Sequence, residues 1–261
     1  MASPFPIALP DHPDDLIVPA REGTLHVLRA ATESGVQRVV VTSSMAAVVY
    51  GLTSTPAQPM TETRWTDPEG NDDHTPYILS KFYAERAAWD FVRDTPGAPD
   101  LATVNPGAVL GPLLADNASD SLLMVTKMLN GEFPGVPKLG FEVVDVRDVA
   151  DLHIRSMEAP EAAGERFLAV AGFRTMREIA DVLREAVPER AKKLPKVTLP
   201  DWVVRVFARF DADTRGALSE LGKRRIASSE KAQRVLGWAP RSPDEAVRAS
   251  ARDVVSRGLI G

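Results

Sequence analysis

The run Val39-Val40-Val41 is apolar and β-branched, with Gly35 before it and Thr42-Ser43-Ser44 after it. A short apolar run bounded this way predicts a buried parallel strand. Leu101 to Asn105, Phe141 to Val146 and Arg166 to Val170 predict further strands. Between them, apolar positions recur at helical spacing. Leu16 to Ser34 predicts a helix entered through Pro19 and ended by Gly35. Ser80 to Phe91, rich in Ala, Glu and aromatic residues, predicts a second, and Leu122 to Leu129 a third, stopped by Asn130-Gly131. Asp148 to Met157 and the strongly periodic Met176 to Val187 predict two more. Residues 195–217 are amphipathic, and Trp202, Val203, Val206, Phe207 and Phe210 are expected to pack into a core or lobe. Residues 227–261 predict a turn around Gly237-Trp238-Ala239-Pro240 and a final helix.

Two stretches break the pattern. Residues 1–15 hold four prolines and predict an extended loop. Residues 51–76, rich in Pro, Thr, Asp and Gly, predict a long loop leading into Tyr77. Long loops without regular structure are often functional. His74, three residues before Tyr77, lies where a loop side chain could reach a substrate.

The chemistry concentrates at Tyr77-Ile78-Leu79-Ser80-Lys81. A Tyr and a Lys at i and i+4 share one helix face. A free phenol titrates near ~10, and a neighbouring ammonium favours the phenolate and pulls that value down. Such a Tyr can pass a proton to or from an alcohol or carbonyl. Ser44 would supply a hydroxyl to hold the substrate oxygen, because strand ends are where open α/β sheets bind ligands.

Composition narrows the alternatives. Hydrophobic residues are 44% and charged residues 26% of 261, ordinary for a globular protein. The net charge of −5 argues against a nucleic-acid-binding surface. The absence of cysteine excludes disulfides and thiol catalysis. His12, His26, His74 and His153 lack metal-ligand spacing, so no metal site is expected. No apolar run approaches the ~20 residues of a membrane span, and the N-terminus does not read as a signal peptide. A cytoplasmic protein without a membrane partner is the default expectation.

Several ordered motifs together resemble one family. Val41-Thr42-Ser43-Ser44, Pro76-Tyr77 to Lys81 with Ala84-Glu85, and Asn105-Pro106-Gly107-Ala108-Val109-Leu110-Gly111-Pro112 are three of them. Val144 to Ala150 and Leu236 to Pro240 are two more. The chain resembles the extended short-chain dehydrogenase/reductases, in the branch of dihydroflavonol and cinnamoyl-CoA reductases and related aldehyde and ketone reductases. The resemblance implies an α/β, Rossmann-like doubly wound parallel sheet with a small C-terminal substrate lobe. It implies a partial dinucleotide-binding domain over 1–170, interleaved with the lobe at about 112–140, and a lobe mainly over 171–261. It implies reduction of a small aldehyde or ketone with NADP or NAD as cofactor. Tyr77 would donate the proton, Lys81 would tune it and bind the nicotinamide ribose, and Ser44 would hold the reacting oxygen. Pro106, Gly107 and Val109 would line the nicotinamide, Ser121 would contact the cofactor, and Ala2 and Ser3 would approach it. His26 stands where the family often has Asn.

One family feature is absent. No Gly-x-x-Gly-x-x-Gly occurs, and the first glycine is Gly23. Such glycines let backbone approach the pyrophosphate at a helix N-terminus. The sheet is therefore expected to lack its first strands, leaving Val39 to Val41 with a bare edge. A start assigned too far downstream is one explanation and a truncated product the other. A nucleotide-sugar epimerase or dehydratase on the same fold, or a remnant unable to bind dinucleotide, are the rival functions.

Overall fold

The computed structural model describes residues 12–52, 56–70, 74–113, 120–210 and 217–260. Ala2 and Ser3 lie outside the described residues. The chain divides into two compact units. The first runs to Gly107 and takes back Ala150–Ala169 and Ala227–Ala239. The second comprises Ala108–Val149, Val170–Ile226 and the residues from Pro240 on.

In the first unit, β1 (Arg38–Thr42), β2 (Asp100–Pro106) and β5 (Glu165–Ala169) form a three-stranded parallel sheet in the order β1-β2-β5. Val39 lies opposite Leu101, and Thr103 lies opposite Val41 on one side and Arg166 on the other. Among the described residues the outer edge of β1 has no partner strand, and Val39 and Val40 are only half-buried. The burial expected of β1 belongs instead to the central β2, where Ala102, Thr103, Val104 and Asn105 are fully buried.

Alternation along β1 sends successive side chains to opposite faces. Thr42 Oγ1 lies 2.7 Å from His153 Nε2 of α4 (Val146–Glu158). The next residue, Ser43, donates to Glu85 of α2 (Pro76–Asp94). Helices therefore cover both faces, as a doubly wound sheet requires.

α1 (Asp14–Glu33) buries Leu16, Ala20, Thr24, Leu28 and Ala31 along one stripe. Leu28 packs with Val41, Ala88 and Leu101. The helix begins five residues before Pro19, which lies inside it. Asp14 and Asp15 in the first turn, favoured by the helix dipole, mark the true start. Gly35, at φ +64°, ends it, and Val36 N donates to Ala31 O at 2.9 Å. This closure needs a left-handed residue, which glycine adopts most cheaply.

The second unit holds a mixed sheet. β3 (Ala108–Leu110) runs parallel to β4 (Gly140–Asp145), and β6 (Gly172–Thr175) pairs antiparallel to β4. Its core joins α3 (Asp120–Asn130), α5 (Met176–Ala186) and a late helix through Leu122, Val125, Met128, Ile179, Leu183 and Val247. Thr175 and Glu178 form a capping box at the start of α5. Among its described residues the amphipathic stretch forms the short α6 (Asp201–Phe207). Val204 is buried there, but Trp202 is 69% and Phe210 86% exposed, so these aromatics do not pack as expected. α7 (Glu230–Leu236) leads to the predicted turn, where Trp238 is 2% exposed, and α8 (Pro243–Ser256) closes the chain's regular structure. No described helix is long and apolar enough to cross a membrane.

Gly111 has φ +125°, and a Cβ there would meet Asp145 Oδ1 at 2.9 Å. Asp145 is fixed by Arg147, whose guanidinium donates to it at 2.7 Å and 2.9 Å. Gly111→Ala is expected to cost about 1–3 kcal/mol of stability, from a conformation nearly restricted to glycine. Urea unfolding compared with the parent chain checks this.

Candidate active site

β1 delivers Ser44 at its C-terminal end in an extended conformation, φ −157° and ψ 152°. Its Oγ accepts from Ala46 N at 3.1 Å and so opens a short turn over Met45–Ala47. A hydroxyl has one proton to donate and two lone pairs. The turn occupies one lone pair and does not use the proton.

Within the predicted loop, Thr66 is held by the turn after Ser44. The Thr66 hydroxyl donates to Ala46 O at 2.6 Å, and Thr66 N donates to Ala47 O at 2.9 Å. Thr66 is 1% exposed. The turn that follows Ser44 is thus clamped from the loop side.

α2 starts at Pro76. Thr75 Oγ1 accepts from Ile78 N at 3.3 Å, and Pro76 fills the first helical position, where its missing N–H costs nothing. Tyr77 follows in the first turn, with Lys81 one turn later. Lys81 Nζ lies 5.4 Å from the Tyr77 ring centroid. The helix packs against the Met45–Ala47 turn, which brings the Tyr77/Lys81 helix beside Ser44. Lys81 lines a small hollow with Ala20, Val41, Thr42, Ser43, Ala84 and Glu85. Burial there holds its pKa below the ordinary lysine value. Among the described residues its ammonium has no carboxylate within ion-pair distance.

The other expected residues lie on other elements. Pro106 closes β2, buried, opposite Ala169, and Gly107 N donates to Ala169 O at 3.1 Å. Val109 sits half-buried in β3, and Ser121 half-buried in the first turn of α3, both in the second unit. His26 is exposed on α1, and His74 is half-buried just before α2.

Sequence reasoning missed the polar centre behind the site. Glu85, 1% exposed, accepts from Arg166 Nε at 2.7 Å, Asn105 Nδ2 at 2.6 Å, and the Ser43 hydroxyl. The Thr103 hydroxyl lies 3.1 Å from the same carboxylate. Arg166 stacks 3.6 Å from the Trp65 ring centroid and donates to Glu62 O and Arg64 O at 2.7 Å and 2.8 Å. The legible signal was polar residues at alternate positions, Thr103 and Asn105, among the apolar Leu101, Ala102 and Val104.

The fold is that of the extended short-chain dehydrogenase/reductases. The chain belongs to the NAD dependent epimerase/dehydratase family, which it matches over residues 8–170. It is similar to ketoreductase azaE of Aspergillus niger, 36% identical over 225 residues, covering 80% of this chain and 65% of that protein. It is similar also to cinnamoyl-CoA reductase CAD2 of Medicago truncatula, 38% identical over 190 residues, covering 72% and 57%. The chain thus spans less than two thirds of the length of either relative. Among solved structures, yeast methylglyoxal/isovaleraldehyde reductase Gre2 complexed with NADPH superposes with a TM-score of 0.78. That match is 28% identical and covers 99% of this chain and 76% of the yeast protein.

Proposed function

We propose that this chain carries the carbonyl-reducing site of an NADPH-dependent aldehyde or ketone reductase of the cytoplasm. The observation that carries the reading is the adjacency of Ser44, its turn pinned by Ala46 and Thr66, to the helix that bears Tyr77 and Lys81. The relatives' names, ketoreductase and cinnamoyl-CoA reductase, and the NADPH of the yeast structure support the substrate class and the cofactor.

The residues fit the nicotinamide end of such a cofactor. The Lys81 ammonium lies in a hollow beside small hydroxyl side chains, suited to ribose hydroxyls. NADPH, when bound, supplies the hydride. Ser44 donates a hydrogen bond to the substrate carbonyl oxygen and holds it. Tyr77 gives its phenolic proton to that oxygen as negative charge develops. Lys81 holds the ribose and stabilises the phenolate left behind. Pro106 and Gly107 bound the nicotinamide side of the first unit. Roles for Val109 and Ser121 in the second unit, and for Ala2 and Ser3, stand on the family resemblance.

Lys81→Met is expected to weaken NADPH binding by about 10–100-fold, the worth of a charged hydrogen bond, and to lower kcat as well. The sign of the pH effect follows from burial. The ammonium, its pKa lowered, is lost as pH rises through that value, below the ordinary lysine range. NADPH affinity should therefore fall with rising pH in the parent chain and lose that dependence in Lys81→Met. Fluorescence titration of NADPH at several pH values checks both. An unchanged affinity in the variant removes the ribose contact from the account.

A further inference from the structure

Glu85 follows Lys81 by one helical turn, yet it points to the sheet rather than to solvent. Its neighbours come from separate segments: Ser43 after β1, Thr103 and Asn105 on β2, and Arg166 on β5. The register sets Val41, Thr103 and Arg166 side by side on one face. Asn105 and Ser43 extend that face toward the strand ends. Every one of these groups can donate to a carboxylate, which when ionised only accepts. Asn105 Nδ2 also donates to the backbone carbonyl of Ser44 at 3.1 Å.

A buried carboxylate paired with a buried guanidinium is poor evidence for stability, because desolvation offsets most of the attraction. Its retention needs another reason, and the partners supply one. Ser43 and Asn105 reach the residue named above as the oxygen-holding serine, one through the chain and one through its carbonyl. That carbonyl also accepts from Ala47 N at 3.0 Å and so belongs to the turn that shapes Ser44.

We propose that Glu85 is a positioning residue. It fastens the Ser43–Ser44 strand end to the helix carrying Tyr77 and Lys81, directly through Ser43 and through Asn105 to the Ser44 carbonyl. The proposal rests on the reading of Ser44, Tyr77 and Lys81 as the reacting groups. Arg166 balances the charge from the far side and leaves the second carboxylate oxygen for the serine side.

Glu85→Gln keeps the volume but turns an amide donor toward donors. Because Arg166 holds the remaining oxygen, the amide faces Ser43 and Asn105. Two measurements test the consequence on the full chain. In the first, amide hydrogen exchange at Ala46 and Ala47 is expected to speed up at least about tenfold, while residues 247–254 stay within about twofold. Asn105→Ala, which keeps the Glu85–Arg166 pair, should do the same, so the test survives if Glu85→Gln folds poorly. Unchanged exchange at Ala46 and Ala47 in both variants overturns the proposal whether or not the chain is a reductase.

The second measurement is a double-mutant cycle on carbonyl reduction. Glu85→Gln is expected to lower kcat on the order of 10²-fold, as misplacement of a reacting group does, with KM little changed. In the Tyr77→Phe background the same change should cost less than about threefold, because the two residues act as a unit. Losses that simply multiply mean Glu85 serves stability alone, and the proposal fails. A parent chain that reduces no carbonyl defeats the functional reading, and the exchange result then decides the positioning claim on its own.

Discussion

Tyr77→Phe is expected to lower kcat for NADPH-dependent carbonyl reduction by roughly 10²–10⁴-fold, the usual worth of a positioned general acid. NADPH affinity should stay within about threefold, because Lys81, the proposed ribose contact, is untouched. The ring is retained, so the 5.4 Å contact between the Lys81 ammonium and the ring face survives. Only the hydroxyl is removed. Steady-state kinetics beside an NADPH titration separate the two effects. A Tyr77→Phe chain that turns over at the parent rate takes the proton donor out of the account.

Arg166→Met is expected to cost about 3–5 kcal/mol of stability, the penalty for leaving a buried charge without its partner. Arg166 side-chain exposure is 9% and that of Glu85 is 0%, so water cannot replace the guanidinium. The variant also loses the donors to Glu62 O and Arg64 O and the stacking on Trp65. Arg166→Met combined with Glu85→Leu should recover much of that loss, since apolar replacement of a buried pair is often neutral. It should not recover kcat, because the tether to Ser43 and Asn105 is gone. Urea unfolding and turnover measured on both chains test this split. Recovery of turnover along with stability contradicts a positioning role.

Local patterns were the legible part of the chain. β1, β2, β4 and β5 and most helices appear near their expected places, because apolar runs and helical spacing act over a few neighbours. The Tyr77/Lys81 pair was readable for the same reason: four residues of helix set it. Short elements were not. β3 has three residues, and β6, Gly172-Phe173-Arg174-Thr175, is half-buried throughout and shows no alternation. Pro19 misplaced the start of α1, because proline is favoured in a first turn but tolerated deeper when the flanking stripe packs well. Trp202, Phe207 and Phe210 were expected to be covered and are exposed, since apolar spacing states which residues share a face and not whether anything covers it.

The support of the site was illegible for a different reason. Glu85 meets residues 43, 103, 105 and 166, which only the sheet register brings together. In sequence Glu85 is one more charged residue on a helix. Thr66 was assigned to a loop, and its clamp on Ala46 and Ala47 depends on a tertiary return that no local pattern encodes.

The proposed activity is reduction of a carbonyl with net consumption of NADPH. The most direct measurement follows deuterium from NADPH labelled at the transferred position into a set of small aldehydes and ketones. Deuterium is expected on the carbinol carbon of the product alcohol, in proportion to NADPH consumed, with the signal nearly abolished in Tyr77→Phe. NADPH left unconsumed across the set, or a sugar nucleotide epimerised with no net cofactor turnover, would contradict it.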